Sequence, residues 1–327
     1  MEKPKSFVYA IFSILICLVF AIGSNYGMQL ITKTNMIYEI KTPKKIGAVY
    51  MTYNNPFYPI VNEELEKIVN KHGDTLITLD PALSLKKQKE QIGYLIDDQK
   101  VDALVITPVE YEGLTDVLKK AKLNHIPVIV VDTEVSDTKY ISYNVSSDNY
   151  DAGVQCAQDM MANCSSARIV LVEHDRANSG KQRIQGFLDT IEGKEQYQVV
   201  KRIECEGQLE KAMPKMENFI NEGVDFDVVM CLNDPSALGV MAALEEMNVL
   251  DGKLVYGIDG TPEAKQHVLD GHMQATVAQS PKTMGKKAGQ AIYRLFQNKK
   301  IKKKVEVLPV EKITKENVDQ YSTEEWQ

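Results

Sequence analysis

IGAVYMTYNNPFY, Ile46 to Tyr58, is the stretch that decides the fold. An apolar strand, Ile46–Met51, runs into a polar turn at Asn54-Asn55-Pro56. Two aromatic residues, Phe57 and Tyr58, come next. A helical pattern then runs from Pro59 to His72. It sets Ile60, Val61, Leu65, Ile68 and Val69 largely on one face, and Gly73 follows as a stop. Strand, turn and amphipathic helix are the opening of a βαβ unit. In open parallel sheets, ligands sit outside the carboxyl ends of the strands, so polar residues at such an end point to a site.

The same ending recurs along the chain. Asp132 closes PVIVVD, Asn233-Asp234 follow DVVMCL, Asp259 follows KLVYGI, and Gln279 follows ATVA. Strands are expected to start near residues 46, 75, 102 and 127, and a second series near 168, 198, 226 and 253. Two matched series predict an α/β protein of two doubly wound, Rossmann-like lobes, each with a parallel sheet. Tyr140–Val145 is expected to leave the first lobe and helix Asp148–Ala162 to open the second. Strand Met273–Gln279, helix Pro281–Gln297 and strand Val305–Val310 follow. Crossings near 145, 280 and 305 give a three-segment hinge. Lobe 1 is then 45–145 plus 281–304, lobe 2 is 146–280 plus 305–315, and 316–327 is a C-terminal tail.

The N-terminus reads differently. Phe7–Gly23 is an uncharged apolar stretch of 17 residues preceded by Lys3 and Lys5. That is the pattern of a signal peptide or an N-terminal membrane anchor, over residues 1–28. Ala21-Ile22-Gly23 resembles a small-x-small cleavage site, and extension through Met28 suits an uncleaved anchor. Leu15-Ile16 before Cys17 are not the small residues of a lipoprotein signal. Residues 29–44 read as a polar stalk, and the rest of the chain is expected outside the cytoplasm, on the outer face of the membrane or in the periplasm.

Bulk properties narrow the function classes. A net charge of −7 speaks against a nucleic-acid partner. Cys156, Cys164, Cys205 and Cys231 form no CxxC spacing, and Cys231 reads as a small buried hydrophobe. The five histidines, at 72, 125, 174, 267 and 272, form no HxH or HExxH, so no metal site is expected. No GxSxG, P-loop or GxGxxG occurs; neither an enzyme nor a cofactor is expected.

On six motifs the chain resembles the type I periplasmic sugar-binding proteins of ABC transporters, in their ribose-binding branch. These are NNPFY (Asn54–Tyr58), VIVVD ending at Asp132, RIQGF (Arg183–Phe187), LNDPSALG (Leu232–Gly239), YGIDGTPEA (Tyr256–Ala264) and ATVAQSP (Ala275–Pro281). LacI-type effector domains share that fold, but the export segment favours the binding protein. The resemblance spans about residues 45–315 and implies roles. Asn55 would bond a sugar hydroxyl, with Phe57 and Tyr58 against the ring. Asp132 would accept hydroxyl protons, and Arg183, Asn233, Asp259 and Gln279 would complete the polar shell. Carboxylates accept from hydroxyls, amides do both, and a guanidinium donates in a fork. Asp234 is expected to cap the helix from Pro235, leaving Asn233 for ligand. Thr133, Thr107, Ile258 and Met51 depart from the ribose pattern, so the sugar is left open. The resemblance implies delivery of a monosaccharide or polyol to an ABC permease. The alternative is a sensor that signals to a membrane histidine kinase or chemoreceptor.

Overall fold

The computed structural model describes residues 15–24, 42–301 and 303–327. The chain falls into two units, Met1–Pro43 and Lys44–Gln327. In the first, residues 15–24 form an exposed helix, α1. The remainder of the Phe7–Gly23 stretch and residues 29–41 of the expected stalk lie outside the described residues. Among the described residues, no helix is long and apolar enough to cross a membrane.

The second unit alternates strand and helix from its first residues. Its first half runs β1 (Lys45–Val49), α2 (Phe57–Lys71), β2 (Thr75–Leu79), α3 (Leu85–Asp97), β3 (Ala103–Ile106), α4 (Thr115–Leu123), β4 (Val128–Asp132) and β5 (Tyr143–Ser147). Then come α5 (Asn149–Asn163), β6 (Ala167–Glu173), α6 (Asn178–Ile191), β7 (Tyr197–Glu204), α7 (Leu209–Asn221), β8 (Val228–Cys231) and α8 (Asp234–Glu246). β9 (Leu254–Asp259), α9 (Pro262–Asp270), β10 (Ala275–Ala278), α10 (Pro281–Phe296), β11 (Val305–Leu308) and β12 (Glu311–Thr314) complete it.

The strands form two six-stranded sheets, ordered β11-β5-β4-β3-β1-β2 and β12-β10-β9-β8-β6-β7. The orders match position for position, so β6 to β10 repeat β1 to β5. Every pairing is parallel except β10 with β12. This is the expected pair of doubly wound lobes. Both faces of the first sheet are covered, which is why its central strands read as unbroken apolar runs. Along β4, Ile129 and Val131 pack with α2 and α10, while Val128 and Val130 pack under α3 and α4. Each such fully buried side chain contributes roughly 1.5–3 kcal/mol.

The third crossing differs from expectation. Val305–Val310 is not one strand of the second lobe. β11 pairs with β5 in the first sheet, and β12 pairs with β10 in the second. The break comes at Pro309, which has no N–H to donate to a ladder, so the chain changes sheets between Leu308 and Glu311. The tail also differs: Trp326 is buried in the first lobe's core cluster. All five cysteines are free, and Cys231 is buried in β8.

Candidate functional site

Both sheets point the carboxyl ends of their parallel strands at one crevice. Asp132 and Asp259 are the last residues of β4 and β9 and have positive φ, 72° and 150°. A non-glycine residue in such a conformation costs on the order of 1 kcal/mol or more, and such strain collects at functional sites. Here it turns two buried carboxyl groups into the crevice.

The crevice holds a cavity of about 420 Å³ between atoms, its mouth included. All eight expected residues line it: Asn55, Phe57, Tyr58 and Asp132 from the first lobe, Arg183, Asn233 and Asp259 from the second, and Gln279 at the hinge.

Local structure sets each one. Asn55 Oδ1 accepts from Phe57 N at 2.9 Å, so the polar turn nucleates α2 and brings Phe57 and Tyr58 into its first turn. Tyr58 Oη donates to Asp132 Oδ2 at 3.1 Å. Arg183 is buried on α6. A Cβ on Gly153 of α5 would lie 1.8 Å from the Arg183 carbonyl, and one on Gly186 would lie 2.0 Å from that of Tyr150. Two glycines thus let α5 and α6 meet backbone to backbone beneath the guanidinium. Arg183 Nε donates to Asn149 Oδ1 at 2.8 Å and NH1 to the Leu232 carbonyl at 2.9 Å; NH1 lies 3.5 Å from Asp259 Oδ1. Gln279 Nε2 donates to Asp259 Oδ1 at 2.6 Å.

The expected division between Asn233 and Asp234 holds only in part: Asn233 lines the cavity, but it, and not Asp234, caps α8. Asn233 is the cap of α8: its Oδ1 accepts from Ser236 N at 3.0 Å and its Nδ2 donates to the Gly207 carbonyl at 3.1 Å. Asp234 turns inward and accepts from Thr261 N at 2.8 Å and Thr276 Oγ1 at 2.7 Å. Extended backbone at Asn233 is what a capping residue needs, and it comes one residue earlier than Pro235 suggests.

Burial dominates the electrostatics. It pushes the carboxyls of Asp132 and Asp259 above the usual range, the latter strongly; Arg183 opposes both shifts, and Tyr58 also opposes that of Asp132. One guanidinium faces several buried acids, so the cavity repels anions and favours hydroxyl donors. Asp259 Oδ2, Gln279 Oε1 and His174 Nε2 are buried without partners among the described residues. Buried polar atoms are rarely left so, and these three belong to cavity walls.

Residues that the sequence reading did not assign also contribute. His174 and Glu206, near the end of β6 and just after β7, and Gln208, the residue before α7, line the second lobe's wall. The rule applied at the other strand ends would have found His174. Behind the site, Gln327 Nε2 donates to the carbonyls of Asp259 at 3.0 Å and Gln279 at 2.7 Å. Lys265, buried, donates to the Glu325 carbonyl at 2.6 Å. The Trp326 ring meets the edge of Phe57 at 5.8 Å. Residues 325–327 thus run across both lobes as a strap. At the rim the lobes touch: Asn54 Nδ2 donates to Gln208 Oε1 at 3.0 Å, Ser179 N to Thr133 Oγ1 at 3.0 Å, and Arg176 NH1 to Glu110 Oε1 at 3.2 Å. The cleft is closed.

Known proteins share this architecture. A family model described as a periplasmic binding protein domain matches residues 46–300. The ribose import binding protein of Bacillus subtilis (strain 168) is 30% identical over 264 residues, covering 80% of this chain and 84% of that protein. A xylitol-binding protein of Mycolicibacterium smegmatis is 30% identical over 282 residues, covering 84% and 78%. Among solved structures, the binding component of the arabinose ABC transporter of Shewanella sp. ANA-3, with L-arabinofuranose bound, superposes with a TM-score of 0.79 at 25% identity. That match covers 85% of this chain and 94% of that one.

Proposed function

The chain belongs to the periplasmic binding protein family, and from that premise we propose that it clamps one monosaccharide or related polyol between its lobes and delivers it to an ABC permease. The protein is an extracytoplasmic solute-binding protein, not an enzyme. The observation that carries the sugar reading is the closed cavity whose buried oxygens, Asp259 Oδ2 and Gln279 Oε1, await hydroxyl donors.

In this reading the eight residues expected from the sequence are the ligand shell. Asp132, Asp259 and Gln279 accept hydroxyl protons, Asn55 and Arg183 donate to hydroxyl oxygens, and Phe57 and Tyr58 cover an apolar ring face. Asn233, already engaged as a cap, offers one remaining amide hydrogen. Closure removes water from the shell, so a mismatched sugar leaves a donor or acceptor unpaired at about 1–3 kcal/mol each. That cost sets selectivity. The moving bodies are residues 44–147 plus 281–308 and residues 148–280 plus 309–324. Sheet membership supports this division, which shifts the third boundary of the sequence reading. The apolar stretch Phe7–Gly23, with Lys3 and Lys5 before it, serves as export signal or anchor; its composition supports that role.

A thermal-shift screen of the purified protein against neutral pentoses, hexoses, inositols and alditols tests the reading. A bound ligand at about 100 times its Kd stabilises by about 2.7 kcal/mol. A screen in which only sugar acids or sugar phosphates stabilise would count against it.

A further inference from the structure

We propose that Glu245, His267 and His272 form a binding site for a divalent transition metal of the zinc class, on the second lobe and apart from the sugar cavity. Each residue offers a ligand atom, and the three atoms lie within 4.8 Å of one another. No sequence motif marks them, because Glu245 lies on α8 and the histidines lie around the end of α9.

The backbone holds the two imidazoles together. His267 is in the last turn of α9. Gly271 follows as its left-handed cap at φ 81°, and the amides of His272 and Met273 both donate to the His267 carbonyl, at 2.9 and 3.1 Å. The chain folds back on itself and sets the two rings 6.0 Å apart, centroid to centroid. His267 is half-buried, and its Nδ1 is buried with no hydrogen-bond partner among the described residues. A metal bound directly at Nδ1 answers for that orphaned atom.

Charge points the same way. Glu245 and His267 both sit in the last turn of their helices, so the negative ends of two helix dipoles converge there. An acid at a helix C-terminus is in the wrong place for the dipole, and a bound cation reverses the sign of that interaction. Two imidazole nitrogens and one carboxylate are three of zinc's four usual ligands, with the fourth left to water. Copper and nickel bind such donors as well.

The site is remote from the crevice. α8 begins directly after Asn233 and α9 three residues after Asp259, both crevice residues; the helices run away from the crevice, and the 13 residues of α8 put its end roughly 20 Å off. Metal binding thus pins the far ends of two helices and leaves sugar affinity unchanged.

Calorimetric titration of the untagged full chain with zinc chloride decides the matter. The expected result at pH 7.5 is one ion per chain, with His272→Ala and Glu245→Gln each weakening binding at least about tenfold. Both residues are exposed, so the variants keep the fold. Absence of saturable binding, or equal affinity in the parent and both variants, overturns the proposal. Because the probe is the metal alone, the outcome does not depend on the sugar reading.

Discussion

Asp132 and Asp259 are counterparts: each ends the third strand of its sheet order, each is buried, and each has a positive φ. Arg183, from α6, tempers the charge of both. The repeat of the fold thus presents two strained carboxyls from opposite lobes to one ligand space. Strain and desolvation both oppose this arrangement in the empty protein, and a hydroxyl-rich ligand relieves the second.

Asp132→Asn keeps the shape of that side chain and removes its charge. A carboxyl whose pKa is higher folded than unfolded weakens the fold as pH rises from the unfolded value through the folded one. At neutral pH the ligand-free variant should therefore melt at a higher temperature than the parent. Its sugar affinity should fall tenfold or more, about 1.4 kcal/mol. Unchanged affinity by calorimetry would remove Asp132 from the ligand shell.

Gly153→Ala should harm stability and binding together. The new methyl would meet the Arg183 carbonyl at 1.8 Å, and backbone cannot yield as a side chain can. A loss of about 1–3 kcal/mol is expected from overpacking, seen in chemical denaturation. Because α6 must shift, Arg183 moves with it and affinity falls as well. Affinity at the parental level in a destabilised variant would show that α6 relaxes without disturbing its guanidinium.

Trp326 is the single tryptophan of the chain. Its ring touches Phe57, which lines the cavity. Ligand addition should therefore shift intrinsic fluorescence, and the titration should match the calorimetric Kd. Trp326→Ala should cost about 3 kcal/mol or more. Trp326→Phe should recover much of that while silencing the signal. An emission spectrum blind to saturating ligand would show that the strap does not sense the site.

Glu204 should shape the acid limb of stability. Burial alone would raise its pKa, but bonds from His174, Asp175 N and Glu206 N prevail and hold it at about 2. Its folded pKa is thus depressed, so its contribution is present above the unfolded value of about 4.3 and is lost as pH falls toward 2. Melting temperatures of Glu204→Gln should fall less steeply than those of the parent between pH 5 and 3. Parallel curves would assign the acid limb to other groups, such as Asp227, which Arg168 also holds at about 2.

Much of this was legible in the chain. Strand and helix periods located the elements to within a few residues, because a sheet covered on both faces demands unbroken apolar runs. Polar residues closing those runs marked five strand ends of one crevice. What escaped was non-local. Asn233 rather than Asp234 caps α8 because the backbone at that step is extended, a matter of dihedrals. His174 and Gln208 face the cavity because β6 and β7 end where the lobes meet. Residues 325–327 read as a tail, since no pattern in a short polar segment says which groove receives it.

Local chemistry is carried by adjacent residues, so the sequence by itself determined the two-lobed α/β fold, the ligand shell's candidates and the neutral, hydroxyl-rich class of guest. Contacts between residues far apart in the chain depend on where helices and strands come to rest. Only the tertiary structure decided the pairing of Asp259 with Gln279, the strap behind them and the meeting of Glu245 with two histidines. Each needs side chains from separate elements within a few ångströms, and that proximity is a property of packing, which no spacing along one strand or helix encodes.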